Sequence, residues 1–239
     1  MLSLDKQNAW REQYRASHPG WQPATELFAN LVRQQLTPTA RVLDIGCGRG
    51  GLVEQLNHPL AQVVGIDPDW HSLREHRLNL TSAVAFSDDL PFAPGTFDLA
   101  FASWVLEHLA RPFQTFQSIA RVLKPGGCFV FITPNGRHPL ALLNKTMGKL
   151  GRLQGRLVAG LYGRSADDTF ATHYRANSRA QLEQLAAQAG GQLTALHTVP
   201  DPTYLAFNRP FFQMMTRFED ALPAERKIHL VGILVKSDK

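Results

Sequence analysis

Ten consecutive residues, Val42-Leu43-Asp44-Ile45-Gly46-Cys47-Gly48-Arg49-Gly50-Gly51, gather residue types from which a ligand site can be built. The run begins apolar and strand-like, and Gly46, Gly48 and Gly51 then satisfy the spacing G-x-G-x-x-G. Glycines so placed allow a tight turn and bring backbone close to a ligand, which is the chemistry of a dinucleotide site. Asp44 pulls the other way. It stands at the carboxyl end of the predicted strand, two residues before the first glycine, where its charge opposes a pyrophosphate and suits a cationic ligand. In Gly65-Ile66-Asp67-Pro68-Asp69 a second carboxylate, Asp67, ends the next predicted strand and can accept hydrogen bonds from both hydroxyls of a ribose.

S-adenosylmethionine joins a ribose to a sulfonium and an ammonium and carries no phosphate, so it suits both acids. Helix capping is the competing role for Asp44 and Asp67, and an NAD site remains the competing ligand reading.

These residues need a scaffold that ends strands side by side. Apolar spacing predicts helices over Asp5–Arg15 and Pro23–Gln35, then strand Arg41–Ile45, helix Gly50–Asn57 and strand Gln62–Ile66. A polar helix at Asp69–Leu80, strands Ala83–Phe86 and Leu99–Ser103, helix Pro112–Leu123 and strand Cys128–Thr133 follow. Helix Ser178–Ala189, strand Gln192–Val199 and a last strand at Ile228–Val235 complete the pattern. Strands alternating with helices imply βαβ units and a mostly parallel sheet covered on both faces. The chain is 239 residues long and 44% hydrophobic, which excludes a disordered chain or a small disulfide-stapled one.

Four stretches resemble the class I S-adenosylmethionine-dependent methyltransferases: Val42–Gly50, Gly65–Asp67, Asp89-Leu90-Pro91-Phe92 with Phe97-Asp98, and Arg121–Gly127. Val105-Leu106-Glu107-His108 matches the small-molecule branch of that superfamily. The resemblance implies a Rossmann-like doubly wound α/β fold: a mostly parallel seven-stranded sheet, its last strand antiparallel, with helices on both faces. It also implies the cofactor, S-adenosyl-L-methionine. Carried over by position, Asp44, Gly46, Cys47 and Gly48 pass beside the methionine part. Asp67, with Pro68 after it, holds the ribose, and Asp88 and Asp89 edge the adenine. Here Ala85-Phe86 stand where the family has Gly-Asp, so which acid meets the adenine stays open. Ser103 and Trp104 lie under the sulfonium, and Tyr14 closes over the cofactor from the N-terminal cover.

Methyl transfer is an in-line displacement, for which the protein must align an acceptor and exclude water. An oxygen acceptor also loses a proton, and His108 and His173 are the candidate bases, the alternative being backbone-bonded or solvated histidines. The other histidines are expected to be exposed. No metal partner set accompanies any of them, so no metal is expected. Cys47 is a filler of the loop before it is a thiol nucleophile.

The net charge is +5, yet Arg137–Arg164 alone holds six Lys/Arg and no acid. Within it, 139–162 mixes leucines with cations, as suits a membrane-surface helix or a lid over an apolar acceptor; a solvated helix packed on the domain is the alternative. Interleaved aromatics for stacking nucleic acid are lacking there. Without an apolar leader at Met1–Lys6 or a disulfide framework, a cytoplasmic location is expected, with peripheral membrane contact through 139–162. The expected divisions are 1–36, an N-terminal helical cover; 37–136, the cofactor-binding core; 137–177, a basic insertion or lid; and 178–239, the completion of the sheet. The expected activity is methyl transfer to a small, partly apolar acceptor, on oxygen first. Carbon or nitrogen acceptors, a non-catalytic cofactor- or membrane-binding module, and an NAD-dependent oxidoreductase are the alternatives.

Overall fold

The computed structural model describes residues 4–148 and 171–238. Seven strands form one sheet: β1 (Val42–Ile45), β2 (Val63–Asp67), β3 (Thr81–Val84), β4 (Phe97–Ser103), β5 (Leu123–Pro134), β6 (Gly191–Val199) and β7 (His229–Lys236). Their spatial order is β3-β2-β1-β4-β5-β7-β6. β1 to β5 run parallel, and β7 is antiparallel to both of its neighbours. The chain builds outward from β1 to β3 and then returns to the other side of β1 with β4. That reversal opens a crevice at the carboxyl ends of β1 and β4.

Side chains alternate between the two faces of each strand. On one face Leu43, Ile45, Ile66, Ala100, Ala102, Phe129 and Phe131 pack with Phe116, Ile119 and Val122 of α4 (Pro112–Val122) and Leu182 and Leu185 of α6 (Arg179–Gln188). On the other, Val42, Val63, Leu99, Phe101, Val130, Ile132, Val231 and Ile233 pack with Phe28, Leu31 and Val32 of α2 (Ala24–Gln35). α1 (Leu4–Ser17) lies beyond α2, while α3 (Trp70–Arg74) follows β2 and α5 (Pro139–Gly148) follows β5.

Four local expectations are corrected. The helix expected at Gly50–Asn57 is a four-residue 3-10 turn, Leu52–Gln55. Gly50 at φ 114° and Asn57 at φ 51° bracket it with left-handed backbone that an α-helix cannot contain. The helix expected at Asp69–Leu80 is the short α3, started by Asp69 accepting from the backbone N–H groups of His71 and Ser72. β5 begins at Leu123, and Lys124–Gly127 bulge out of it opposite Asp98 alone, with Gly126 at φ 69°, so that its register against β4 shifts between Phe97 and Leu99. Gly127 has no room for a Cβ there: one would stand 2.9 Å from the Lys124 carbonyl. Finally, α7 (Arg209–Ala221), which the sequence reading left without an element, is started by Asn208 accepting from the Phe211 N–H. Most of the basic insertion lies outside the described residues.

Candidate functional site

The glycine loop is fastened to the end of β2. Gly46 and Cys47 both donate their N–H to the Ile66 carbonyl, at 2.8 and 3.0 Å, and Gly50 donates to the Cys47 carbonyl at 2.9 Å. Gly46, at φ 74°, also lies so close to the chain after β4 that a Cβ would stand 2.5 Å from Val105 Cγ2. No α-helix follows the loop, so the helix N-terminus on which a pyrophosphate would rest is missing among the described residues.

Asp44 and Asp67 share a face of the sheet with Val42 and Val63, the face that α2 covers. Asp44 is 4% exposed. Burial, with the nearby Asp67 charge adding to it, pushes its carboxyl up to about 8. Among the described residues no hydrogen bond reaches the Asp44 carboxylate. Asp67 is aimed by backbone: Gly48 N–H donates to Oδ2 at 3.0 Å and Asp69 N–H to Oδ1 at 2.8 Å. Burial raises its pKa all the same. Two buried acids side by side, with no cation against either among the described residues, make a site of concentrated negative potential. Pro68, half-buried, continues from it.

Of the two acids after β3, Asp88 is the better placed. Its Oδ2 meets Arg111 at 2.7 Å, while Oδ1 is buried and unpartnered. Asp89 is exposed. Half-buried Ser103 ends β4, and Trp104 follows with φ 59°, a conformation costly for a bulky side chain and held by its N–H bond to the Ile132 carbonyl.

The two candidate bases, 65 residues apart in sequence, come together. His108 ends the 3-10 turn Leu106–His108, and its Nδ1 bonds the Ala171 carbonyl at 3.1 Å. His173 donates its N–H to the Glu107 carbonyl at 2.7 Å. Beneath them the buried Glu107 accepts from Thr133 Oγ1 at 3.0 Å, which in turn receives Asn177 Nδ2 at 2.7 Å. Sequence reasoning missed this network, which only the junction of β5 with the chain before α6 assembles.

Two side chains of the expected cofactor set are engaged with other groups of the protein. Tyr14 is fully buried, stacked on His18 and edge-on to Trp21, with its hydroxyl donated to Asp220 at 2.8 Å. It joins α1 to α7, whose start signal, Asn208 followed by Pro210, the sequence reading passed over. Cys47 turns its sulfur against β2, where a Cβ on Gly65 would lie 2.7 Å from it. Both of its backbone groups are used in the loop, and burial first, then Asp44 and Asp67, pushes the thiol up to about 12. A thiol so raised is disfavoured as a nucleophile, which agrees with a loop-filling role. The histidines are likewise not all at the surface: His138 and His229 are buried.

Residues 43–131 match the family described as "Methyltransferase domain". A malonyl-[acyl-carrier protein] O-methyltransferase of Legionella pneumophila is 34% identical over 119 residues, covering 46% of this chain and 41% of that protein. A ubiquinone biosynthesis O-methyltransferase of Thiobacillus denitrificans is 36% identical over 137 residues, 50% of this chain and 59% of that one. A solved S-adenosylmethionine-dependent methyltransferase of Mesorhizobium loti superposes with a TM-score of 0.58 at 19% identity, covering 87% of this chain and 96% of its own. Residues 43–131 thus match a methyltransferase domain, and the solved neighbour shares the fold. The sheet order places the crevice of that domain at the β1–β4 reversal. The chain spans about half the length of the curated relatives it matches, which leaves the acceptor outside what the likeness carries. The fold alone does not choose a reaction either: SpnF, a cyclase, has a TM-score of 0.56 to this chain at 16% identity, covering 90% of it and 82% of its own length.

Proposed function

We propose that the protein transfers a methyl group from S-adenosylmethionine to the oxygen of a small, partly apolar acceptor. The carrying observation is the pair Asp44 and Asp67: buried on one face of the crevice, the first without a hydrogen-bond donor and neither with a cation against it. An ammonium and a ribose supply what these carboxylates lack. The buried, unpartnered Asp88 Oδ1 fits the exocyclic amine of an adenine, and the positive φ of Gly46 and Gly48 turns the loop backbone as an approach to the methionine part requires. When bound, the cofactor supplies a methyl carbon already activated by positive sulfur.

The chain's own residues then have to orient an acceptor and take its proton. His108 suits that work. Its Nδ1–H donated to the Ala171 carbonyl leaves Nε2 as the basic nitrogen, and the Glu107 carboxylate 4.0 Å from Nε2 favours the imidazolium formed on proton uptake. His173, held at the same turn, is the second candidate. Ser103 and Trp104 line the approach from β4.

Titration calorimetry with S-adenosylhomocysteine and, separately, with NAD tests the reading. Micromolar binding of the homocysteine compound alone is expected; binding of NAD alone overturns it.

A peripheral membrane contact is proposed beside it. Leu142 and Leu143 of α5 are 48% and 54% exposed, at the start of the acid-free basic run. Deleting 140–161 is expected to abolish co-sedimentation with anionic phosphatidylglycerol vesicles, and unchanged co-sedimentation removes the idea. No helix among the described residues is long and apolar enough to cross a membrane.

A further inference from the structure

β3 is one edge of the sheet and pairs with β2 alone. Ala85 donates its N–H to the Asp67 carbonyl, so by the period of two Thr81 and Ala83 also turn their backbone groups towards β2. The N–H and carbonyl groups of Ser82 and Val84 point away from the sheet and meet no partner among the described residues. Open edges are usually blunted by a charge, a proline or a bulge. The opposite edge, β6, is so protected: its register shifts between Leu193 and Ala195, and Arg179 of α6 donates to the Leu196 carbonyl at 3.4 Å. Thr81-Ser82-Ala83-Val84 carries none of these devices. Apolar side chains gather there instead. Val84, Phe86 just past the strand, and Trp70 at the start of α3, which packs on β3, are 53%, 67% and 57% exposed.

The charges around this edge cancel. Arg49 meets Glu75 at 2.5 Å, Arg77 meets Glu54 at 2.6 Å and Arg111 meets Asp88 at 2.7 Å, while exposed Arg74 and Asp89 offset one another in sum. A neutral, apolar edge has no hold on a polyanion or an anionic bilayer; its open backbone groups are satisfied by another β-strand.

β3 is its own complement. About a two-fold axis at Ala83, Ser82 of one copy lies opposite Val84 of the other, and each such pair exchanges both backbone bonds. Ala83 then faces itself at the closest spacing of an antiparallel ladder, about 4.5 Å between Cα atoms, where a small side chain is least crowded. Beyond the strand ends, Phe86 falls opposite Leu80 of the second copy on the same face, an apolar pair at either end.

We infer that two copies of the chain associate through β3, antiparallel about a two-fold axis at Ala83, and so join their sheets into one. The ladder is short, so the association depends on concentration and is not obligate. β3 lies two strands from β1, which leaves the crevice of each copy open. The inference does not rest on the methyltransferase reading.

Sedimentation equilibrium of the full chain, from low to high micromolar concentration, is expected to show a reversible monomer–dimer equilibrium. Val84→Pro removes an N–H that points away from β2, so the chain's own ladder survives, and dimerisation should weaken roughly tenfold or more. Val84→Lys should act in the same direction, by placing like charges on either side of the axis. His197→Lys, a charge on the exposed part of β6, should leave the equilibrium as it is in the parent. Ala83→Cys should melt as the parent does when reduced and give a covalent dimer on oxidation, both native cysteines being buried. A parent that stays monomeric at every concentration overturns the inference, as does a dimer that Ala83→Cys fails to lock. Should Val84→Pro lower the melting temperature, Val84→Lys and the Ala83→Cys crosslink decide without it.

Discussion

Asp44 is a carboxyl group that burial holds against ionisation. Its folded pKa, about 8, lies above the unfolded value of 3.8, so the stability associated with its proton is full below the unfolded pKa and is lost as pH rises through the folded one. A cationic ligand reverses this by favouring the ionised form. Near neutral pH, binding of S-adenosylhomocysteine is therefore expected to release a proton, seen as a binding heat that depends on the ionisation enthalpy of the buffer. Asp44→Asn should abolish that dependence, weaken binding, and raise the melting temperature of the free protein at mildly alkaline pH. A buffer-independent heat in the parent would contradict the assignment. Asp67 is different, because two backbone N–H groups already aim it. Asp67→Ala removes hydrogen bonds to a charged acceptor worth about 1.5–3 kcal/mol each, so affinity for S-adenosylhomocysteine should fall roughly tenfold to a hundredfold by calorimetry. Unchanged affinity would remove Asp67 from the ribose.

Among the elements, the glycine loop depends on a near-collision with the chain leaving β4. Gly46→Ala sets an L side chain at φ 74° and a Cβ 2.5 Å from Val105 Cγ2. The backbone conformation and the overpacking together should cost about 2–4 kcal/mol. In a chain of this size that lowers the melting point by about 4–16 °C. Cofactor affinity should fall with it, since the same atoms shape the crevice. Calorimetric melting with and without S-adenosylhomocysteine reads both effects. The Gly46, Gly48 and Gly51 spacing was legible in the sequence as a ligand loop. That it enters a 3-10 turn instead of an α-helix was not, because Gly50 and Asn57 have left-handed φ values that the sequence permits without requiring.

Over the whole molecule, the N-terminal cover is fastened to the C-terminal end of the sheet. Arg11 of α1 reaches Asp201 at 2.9 Å, and the hydroxyl and N–H of Thr203 bond the same carboxylate. Burial pushes the Asp201 pKa up, but Arg11, His229 and Thr203 together hold it below the ordinary value. A depressed carboxyl contributes stability above its unfolded pKa and loses it as pH falls through the folded one. Arg11→Ala leaves a buried carboxylate without its cation. With the guanidinium 22% exposed, we expect a loss of about 2–4 kcal/mol at neutral pH and acid unfolding that begins at higher pH. Urea denaturation at several pH values measures both, and a variant as stable as the parent would show that α1 is held by Trp10 and Tyr14 packing alone.

Strand alternation, the two glycine-rich turns and the aspartates at strand ends were readable in the sequence because their causes are local. A β period of two, a positive φ and a carboxylate two residues before a glycine all belong to neighbouring residues. From them followed a mostly parallel α/β sheet and a reading of a phosphate-free ligand, while the antiparallel last strand came with the resemblance to the class I methyltransferases. What lies at the other end of the crevice depended on contacts across the chain. Glu107 meets Thr133 and Asn177, Tyr14 meets Asp220, and His229 meets Trp104 and Tyr204 only once β5, β6, β7 and α7 are packed. The Asp44 and Asp67 pair sits within the β1–β2 neighbourhood, whereas Trp104 and His229 stand 125 positions apart and meet only in the tertiary structure.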